Sequence, residues 1–181
     1  MDFSELEKAI GYEFRDKELL KMALTHSSYS NEMKAKGMAV ECNERAEFLG
    51  DAVLSCIASS YLYTNHPKLS EGELTRIRAQ AVCERALCEY AQELGLGKYL
   101  LLGHGEVISH GERRPSILAD AFEALLAAIW LDGGAKEAEK FALRFLEPEI
   151  KRALTSNNQD YKSQLQQFVQ LSQFLPVVVE M

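Results

Sequence analysis

Carboxylates spaced one helical turn apart on otherwise apolar segments are the residues in this chain best suited to chemistry. The stretch from Glu44 to Ile57 places Glu44, Glu47 and Asp51 within about 60° of one another at the ~100° per residue of an α-helix. Leu49, Val53 and Cys56 lie opposite, and Phe48 and Leu54 flank the acids, so this helix is apolar nearly all round and is expected to be buried. A second segment, 116–131, is more telling, because its only polar side chains are Ser116, Asp120 and Glu123. Asp120 and Glu123 share a face at i, i+3, and the small Ala127 continues that stripe, which is expected to leave space beside the carboxylates.

An unpaired ionised carboxylate in such a setting costs several kcal/mol of desolvation, or it takes up a proton. Few basic residues share these windows, so the acids call for a cation. An all-oxygen set of a few carboxylates suits Mg²⁺, with Mn²⁺ able to substitute, and such an ion can promote phosphodiester hydrolysis. The competing reading is two solvated helix faces paired with lysine or arginine elsewhere. It stays open for 44–51 and is weaker for Asp120 and Glu123, around which there is no wider polar face. Arg45 is expected to pair with Glu41 or Glu47.

Other chemistries fit less well. The four histidines, His26, His66, His104 and His110, show no i, i+4 spacing, and there is no His-Asp dipeptide and no Glu-x-x-His pair. A G-x-S-x-G elbow and a phosphate-binding P-loop are also missing. Cys42, Cys56, Cys83 and Cys88 form no C-x-x-C pair and are expected to be reduced and structural, with Cys56 inside an apolar run.

At 181 residues the chain suits one substantial domain with a short appendage. No run of about 18 apolar residues suggests a membrane span, and the acidic start, Met1-Asp2-Phe3-Ser4-Glu5, lacks the features of a secretory leader, so a cytoplasmic location is expected. A net charge of −7 argues mildly against a polyphosphate partner, although an acidic cleft built to hold metal ions also makes the sum negative.

The elements that position these acids are nearly all helical. The pattern predicts helices over 3–9, ending at Gly11, and over 17–24 with Asp16 as N-cap. It predicts further helices over 43–63 and over 70–82, the latter opened by a Ser70/Glu73 capping box. Helices over 84–94, from 116 to a stop at Asp132-Gly133-Gly134, and over 135–154 with a bend at Pro148 complete the set. The polar stretch 27–40 and the glycine-containing stretch 97–111 read as loops, and 177–179 is the only β-leaning run. The fold class is therefore all-α, with 1–154 as one domain, 155–159 as a linker, and 160–181 too short to bury a core alone.

Asn43-Glu-Arg-Ala-Glu-Phe-Leu-Gly-Asp-Ala-Val53 closely resembles the ribonuclease III signature, with Ala46 where that family usually has leucine. Leu24-Thr-His-Ser-Ser-Tyr29, Ser70-Glu-Gly-Glu-Leu-Thr-Arg-Ile-Arg78, Glu112-Arg-Arg-Pro-Ser-Ile-Leu-Ala-Asp-Ala-Phe-Glu-Ala-Leu125 and Leu131-Asp-Gly-Gly134 also look like family segments. The resemblance covers about residues 1–152. It implies a compact helical endonuclease domain that homodimerises and cuts double-stranded RNA, leaving a 5′-phosphate and a short 3′ overhang, in the processing of rRNA and mRNA. By matching positions, Glu47, Asp51, Asp120 and Glu123 would be the metal-site carboxylates, with Asp51 and Glu123 most directly catalytic and Glu44 in a less direct role. A non-cleaving double-stranded-RNA-binding or ribosome-associated module of the same fold is the alternative, which loss of metal carboxylates would mark; all four are present.

His26, in the Thr-His-Ser segment, is expected to bond neighbouring loops rather than to act in catalysis. Arg113 and Arg114 precede the second acid helix, and Arg76 and Arg78 lie on a helix; contact with phosphate and simple solvation both remain open for all four. Asp160-Tyr-Lys-Ser-Gln-Leu-Gln-Gln-Phe-Val-Gln170 looks like the first helix of the family's double-stranded-RNA-binding domain, which 171–181 does not continue. RNA binding without that module should be weaker and unusually salt-sensitive.

Overall fold

A computed structural model describes residues 3–172, with side chains through 155. Nine α-helices are present among the described residues: α1 (Ser4–Ile10), α2 (Lys17–Ala23), α3 (Ser27–Ala35), α4 (Glu44–Asn65), α5 (Glu71–Ala81), α6 (Glu84–Glu93), α7 (His104–Ile108), α8 (Pro115–Gly133) and α9 (Ala135–Ser172). Short 3₁₀ turns occupy Leu96–Lys98 and Gly111–Arg113, and an isolated parallel bridge joins Thr25 to Leu101. The fold is all-α. No helix among the described residues is long and apolar enough to cross a membrane.

The predicted boundaries follow from local chemistry. Asp16 accepts a hydrogen bond from the Glu18 amide at 2.9 Å, and Gly11 ends α1 in the left-handed region at φ 77°. Ser70 and Glu73 form the reciprocal capping box, the Glu73 carboxylate accepting from the Ser70 amide at 2.9 Å.

The centre of the molecule is α8, which packs against α4, α6, α9 and α2. Its residues 117–119, 121–122 and 124–129 are all buried, as expected of a helix without a polar face. Phe122 is fully buried, with its ring 5.3–5.5 Å from those of Tyr90, Phe141 and Phe145. Burying such a side chain contributes about 1.5–3 kcal/mol, and this aromatic cluster fixes α6 and α9 around α8.

Several expectations change. The stretch 27–40 contains α3, and 97–111 contains α7. Neither helix has a buried residue, so neither shows apolar periodicity. They are held instead by long-range hydrogen bonds, from the Gly103 amide to Ser28 Oγ and from the His104 amide to the Glu32 carboxylate, both at 2.9 Å. Helix α4 is not buried all round: Phe48 is 81% exposed and Cys56 is exposed too. Ala127, expected to border open space, is fully buried in the core. Helix α9 contains Pro148 and runs on through 155–159, the stretch read as a linker, where no glycine or proline halts it. The 160–181 fragment lies beyond the described side chains, and 177–179 outside the described residues altogether.

Candidate metal centre

The packing of α4 on α8 sets the site. Glu47, three residues before Gly50 on α4, meets Asp120 and Glu123 on α8, and one carboxylate oxygen from each lies within 4.8 Å of the others. All three are half-buried. Among the described residues no lysine or arginine forms an ion pair with Glu47, Asp51, Asp120 or Glu123. The reading of these acids as solvated faces neutralised by neighbouring cations therefore loses its support.

Electrostatics register the crowding. Burial, reinforced by Asp51, Glu47 and Asp120, pushes the Glu123 carboxyl up to about 8. Glu47 is also raised, by burial first and then by Asp120, Glu44 and Asp51. Asp120 is raised by burial, with His26 opposing and Glu84 adding to the shift. Asp51 and Glu44 are exposed and stand outside the close triad, near enough for their charges to act on it. The five acids singled out from the sequence thus gather in one place, three tightly and two at the rim.

Glu84 is an acid that sequence reasoning missed. It opens α6, an element with no acidic stripe, and only the packing of α6 against α8 brings it near Asp120. His26 makes local hydrogen bonds and also stands near enough to Asp120 for its charge to act on that carboxyl. Its Nδ1 lies 2.8 Å from Ser28 Oγ, and its amide donates to the Leu101 carbonyl at 3.0 Å, tying two loops together.

The basic candidates are dispersed. Arg78 donates to Ser59 Oγ at 2.9 Å, which holds α5 against α4. Arg114 is paired with Glu106 at 2.9 Å and Arg113 with Glu112 at 3.5 Å, while Arg76 is exposed on α5. Arg45 is exposed on α4 and forms no ion pair with Glu41, Glu47 or any other acid among the described residues, contrary to expectation.

Chemically, three convergent carboxylates without a basic partner suit a hard divalent cation that takes oxygen ligands and keeps some of its water. Without an ion, burial first and the neighbouring like charges second disfavour the ionised carboxylates, and the upward shifts express both.

Comparison with known proteins agrees with this geometry. Residues 16–150 match the family model described as Ribonuclease-III-like. The chain is 49% identical over 170 residues to Ribonuclease 3 of Oceanobacillus iheyensis, covering 94% of this chain and 74% of the relative. It is 44% identical over 168 residues to Ribonuclease 3 of Listeria monocytogenes, covering 93% and 72%. Among solved structures it is similar to the nuclease domain of Ribonuclease III from Campylobacter jejuni, described for flexibility in a region involved in dimer formation, with a TM-score of 0.74, 40% identity, and 82% of this chain and 98% of that one covered. Dicer from Giardia intestinalis also matches, with a TM-score of 0.59, 25% identity and coverage of 81% and 19%.

Proposed function

The chain belongs to the ribonuclease-III-like family, and from that premise we propose that it is a divalent-metal-dependent endoribonuclease that hydrolyses double-stranded RNA as a homodimer. The observation that carries this reading is the convergence of Glu47, Asp120 and Glu123 within 4.8 Å without a cationic partner. Mg²⁺, or Mn²⁺ in its place, supplies when bound the Lewis acidity that phosphodiester hydrolysis needs. Glu47, Asp120 and Glu123 hold the ion. Asp51, exposed at the mouth, reaches toward the substrate and works with Glu123 closest to the reacting phosphate. Glu44, further out, tunes Glu47 through its charge.

Cleavage would leave 5′-phosphates and short 3′ overhangs, in rRNA and mRNA processing in the cytoplasm. Residues 1–154 form the catalytic domain, and 160–181, beyond the 155–159 connection, correspond to the start of a double-stranded-RNA-binding domain. The basic candidates to meet phosphate are Arg76, Arg78, Arg113 and Arg114, of which Arg76, Arg113 and Arg114 are exposed. The exposed apolar residues of α4, Phe48 at 81% and Tyr63 at 78%, favour a second copy as partner.

Cleavage of a labelled RNA duplex with Mg²⁺, by the unmodified chain and by Glu123→Ala, tests the proposal. Strong cutting by the first and loss in the second is expected. Equal cutting by both overturns the site assignment, and no cutting by either favours the non-cleaving module.

A further inference from the structure

The Thr25–His26 step is pinned on both sides. The Thr25 carbonyl accepts from the amide of Asn43, the residue that opens α4, at 2.8 Å, and the His26 amide donates to the Leu101 carbonyl at 3.0 Å. Thr25 itself is buried, and its hydroxyl donates to the Lys21 carbonyl at 2.7 Å. His26 thus sits where the end of α2, the start of α3 and the start of α4 meet, and α2 and α4 both pack against α8.

The ring is polarised as well as placed. As N-cap of α3, His26 accepts at Nδ1 from the Ser28 amide at 3.3 Å. A backbone amide can only donate, so Nδ1 presents its lone pair and the ring proton sits on Nε2. Ser28 Oγ reinforces this, because it accepts from the Gly103 amide at 2.9 Å and stands 2.8 Å from Nδ1, which turns its own hydrogen toward the ring. The Nε2–H is left with no hydrogen-bond partner among the described residues.

Asp120 lies within electrostatic reach of His26. Glu84 approaches the same carboxyl from α6, but an ionised acid offers no donor, and no hydrogen bond acts on Asp120 among the described residues. There, His26 is also the only basic side chain whose charge bears on Glu47, Asp120 or Glu123.

We propose that His26 is a positioning residue for Asp120: its Nε2–H donates across one water to the Asp120 carboxylate and keeps that group turned toward the cation held with Glu47 and Glu123. The proposal rests on the metal-site reading above and adds the group that orients one of its ligands. Metal-binding carboxylates are commonly held in this way, and removing the partner lowers metal affinity or activity by about 10–100-fold.

Asparagine and glutamine separate the two ring nitrogens. His26→Asn keeps an acceptor where Nδ1 stands and remains a strong helix cap, but it has no donor as far out as Nε2. His26→Gln carries an N–H at that reach and gives up the cap. Isothermal titration with Mn²⁺, on the full chain, is expected to show about tenfold or greater loss of affinity for His26→Asn, with His26→Gln within a few-fold of the unmodified chain. Thermal unfolding in EDTA should rank them the other way, His26→Asn melting near the unmodified chain and His26→Gln below it, so a general loss of structure cannot mimic the affinity pattern. A glutamine variant that binds Mn²⁺ no more tightly than the asparagine variant overturns the proposal, as does unchanged affinity in both. If the unmodified chain and His26→Gln bind Mn²⁺ well, His26→Asn does not, and none of them cuts duplex RNA, the positioning role stands and the nuclease reading falls. An unmodified chain that binds no Mn²⁺ overturns both.

Discussion

Gly50 on α4 lies directly against the backbone of Glu123 on α8: a Cβ at Gly50 would stand 1.9 Å from the Glu123 carbonyl oxygen and 2.4 Å from its carbon. No side-chain rotation can relieve a clash with backbone, so any larger residue must push the two helices apart. Glu47, one turn before Gly50, would then move away from Glu123. Gly50→Ala is therefore expected to cost about 1–3 kcal/mol or more in stability and to reduce cleavage more than the remaining folded fraction explains. Thermal unfolding and single-turnover cleavage on the same preparation check this. Unchanged activity at unchanged melting temperature would show that the close packing is not what aligns the acids.

The raised carboxyl of Glu123 has a consequence for stability in EDTA. Its pKa is about 8 in the folded chain against an ordinary 4.5. Between those values the folded state holds a proton that the unfolded state has released, so stability falls as pH rises through that window and levels off above it. Glu123→Gln, which carries no charge at either end, should lack this component. Relative to the unmodified chain it should melt higher at pH 8 than at pH 5, and divalent ion should erase much of the difference. Parallel pH–melting curves for the two proteins would count against the burial and crowding described for this site.

Metal affinity and turnover should separate by residue. Glu47, Asp120 and Glu123 form the close triad, whereas Asp51 stands outside it. Isothermal titration with Mn²⁺ is expected to show about tenfold or greater loss of affinity for Glu47→Gln, Asp120→Asn and Glu123→Gln. Asp51→Asn should keep most of its affinity while losing cleavage of duplex RNA. Ca²⁺ should compete for the site without supporting turnover, because its looser coordination orients reactants poorly. Full activity in Ca²⁺ would contradict the proposed chemistry.

What could be read from the sequence was whatever repeats with helical period. The 3.6-residue spacing identified Glu47, Asp51, Asp120 and Glu123, and the capping residues Asp16 and Ser70 marked helix starts. Periodicity could not say which apolar side of α4 would lack a neighbour, because Phe48 and Leu54 are alike in composition yet 81% and 1% exposed. Nor could it reveal α3 and α7, whose stability lies in contacts such as that between the His104 amide and Glu32, 72 positions apart. Glu84 and the close approach at Gly50 depend on how helices pack, which no single segment encodes.

Asp132 offers a last test, remote from the acids. From the sequence it is only part of the stop signal that ends α8, yet its carboxylate accepts from the Tyr12 hydroxyl at 2.6 Å and from the amides of Arg15 and Asp16 at 2.9 and 3.0 Å. Burial works to raise its pKa, but these donors prevail and hold it below the usual carboxylate range, while burial and the same bond push Tyr12 up to about 12. The bonds fasten the start of α2 to the end of α8, and Asp132→Ala leaves the donors unmatched at a cost of about 1–3 kcal/mol. Because the folded-state pKa is depressed, this contribution is present above the ordinary aspartate value and is lost as pH falls through the lowered one. The melting difference between the unmodified chain and Asp132→Ala should therefore be full at pH 7 and shrink only in strong acid. Tyr12→Phe should reproduce part of it. A variant that melts with the unmodified chain at pH 7 would mean that solvent replaces these bonds without loss.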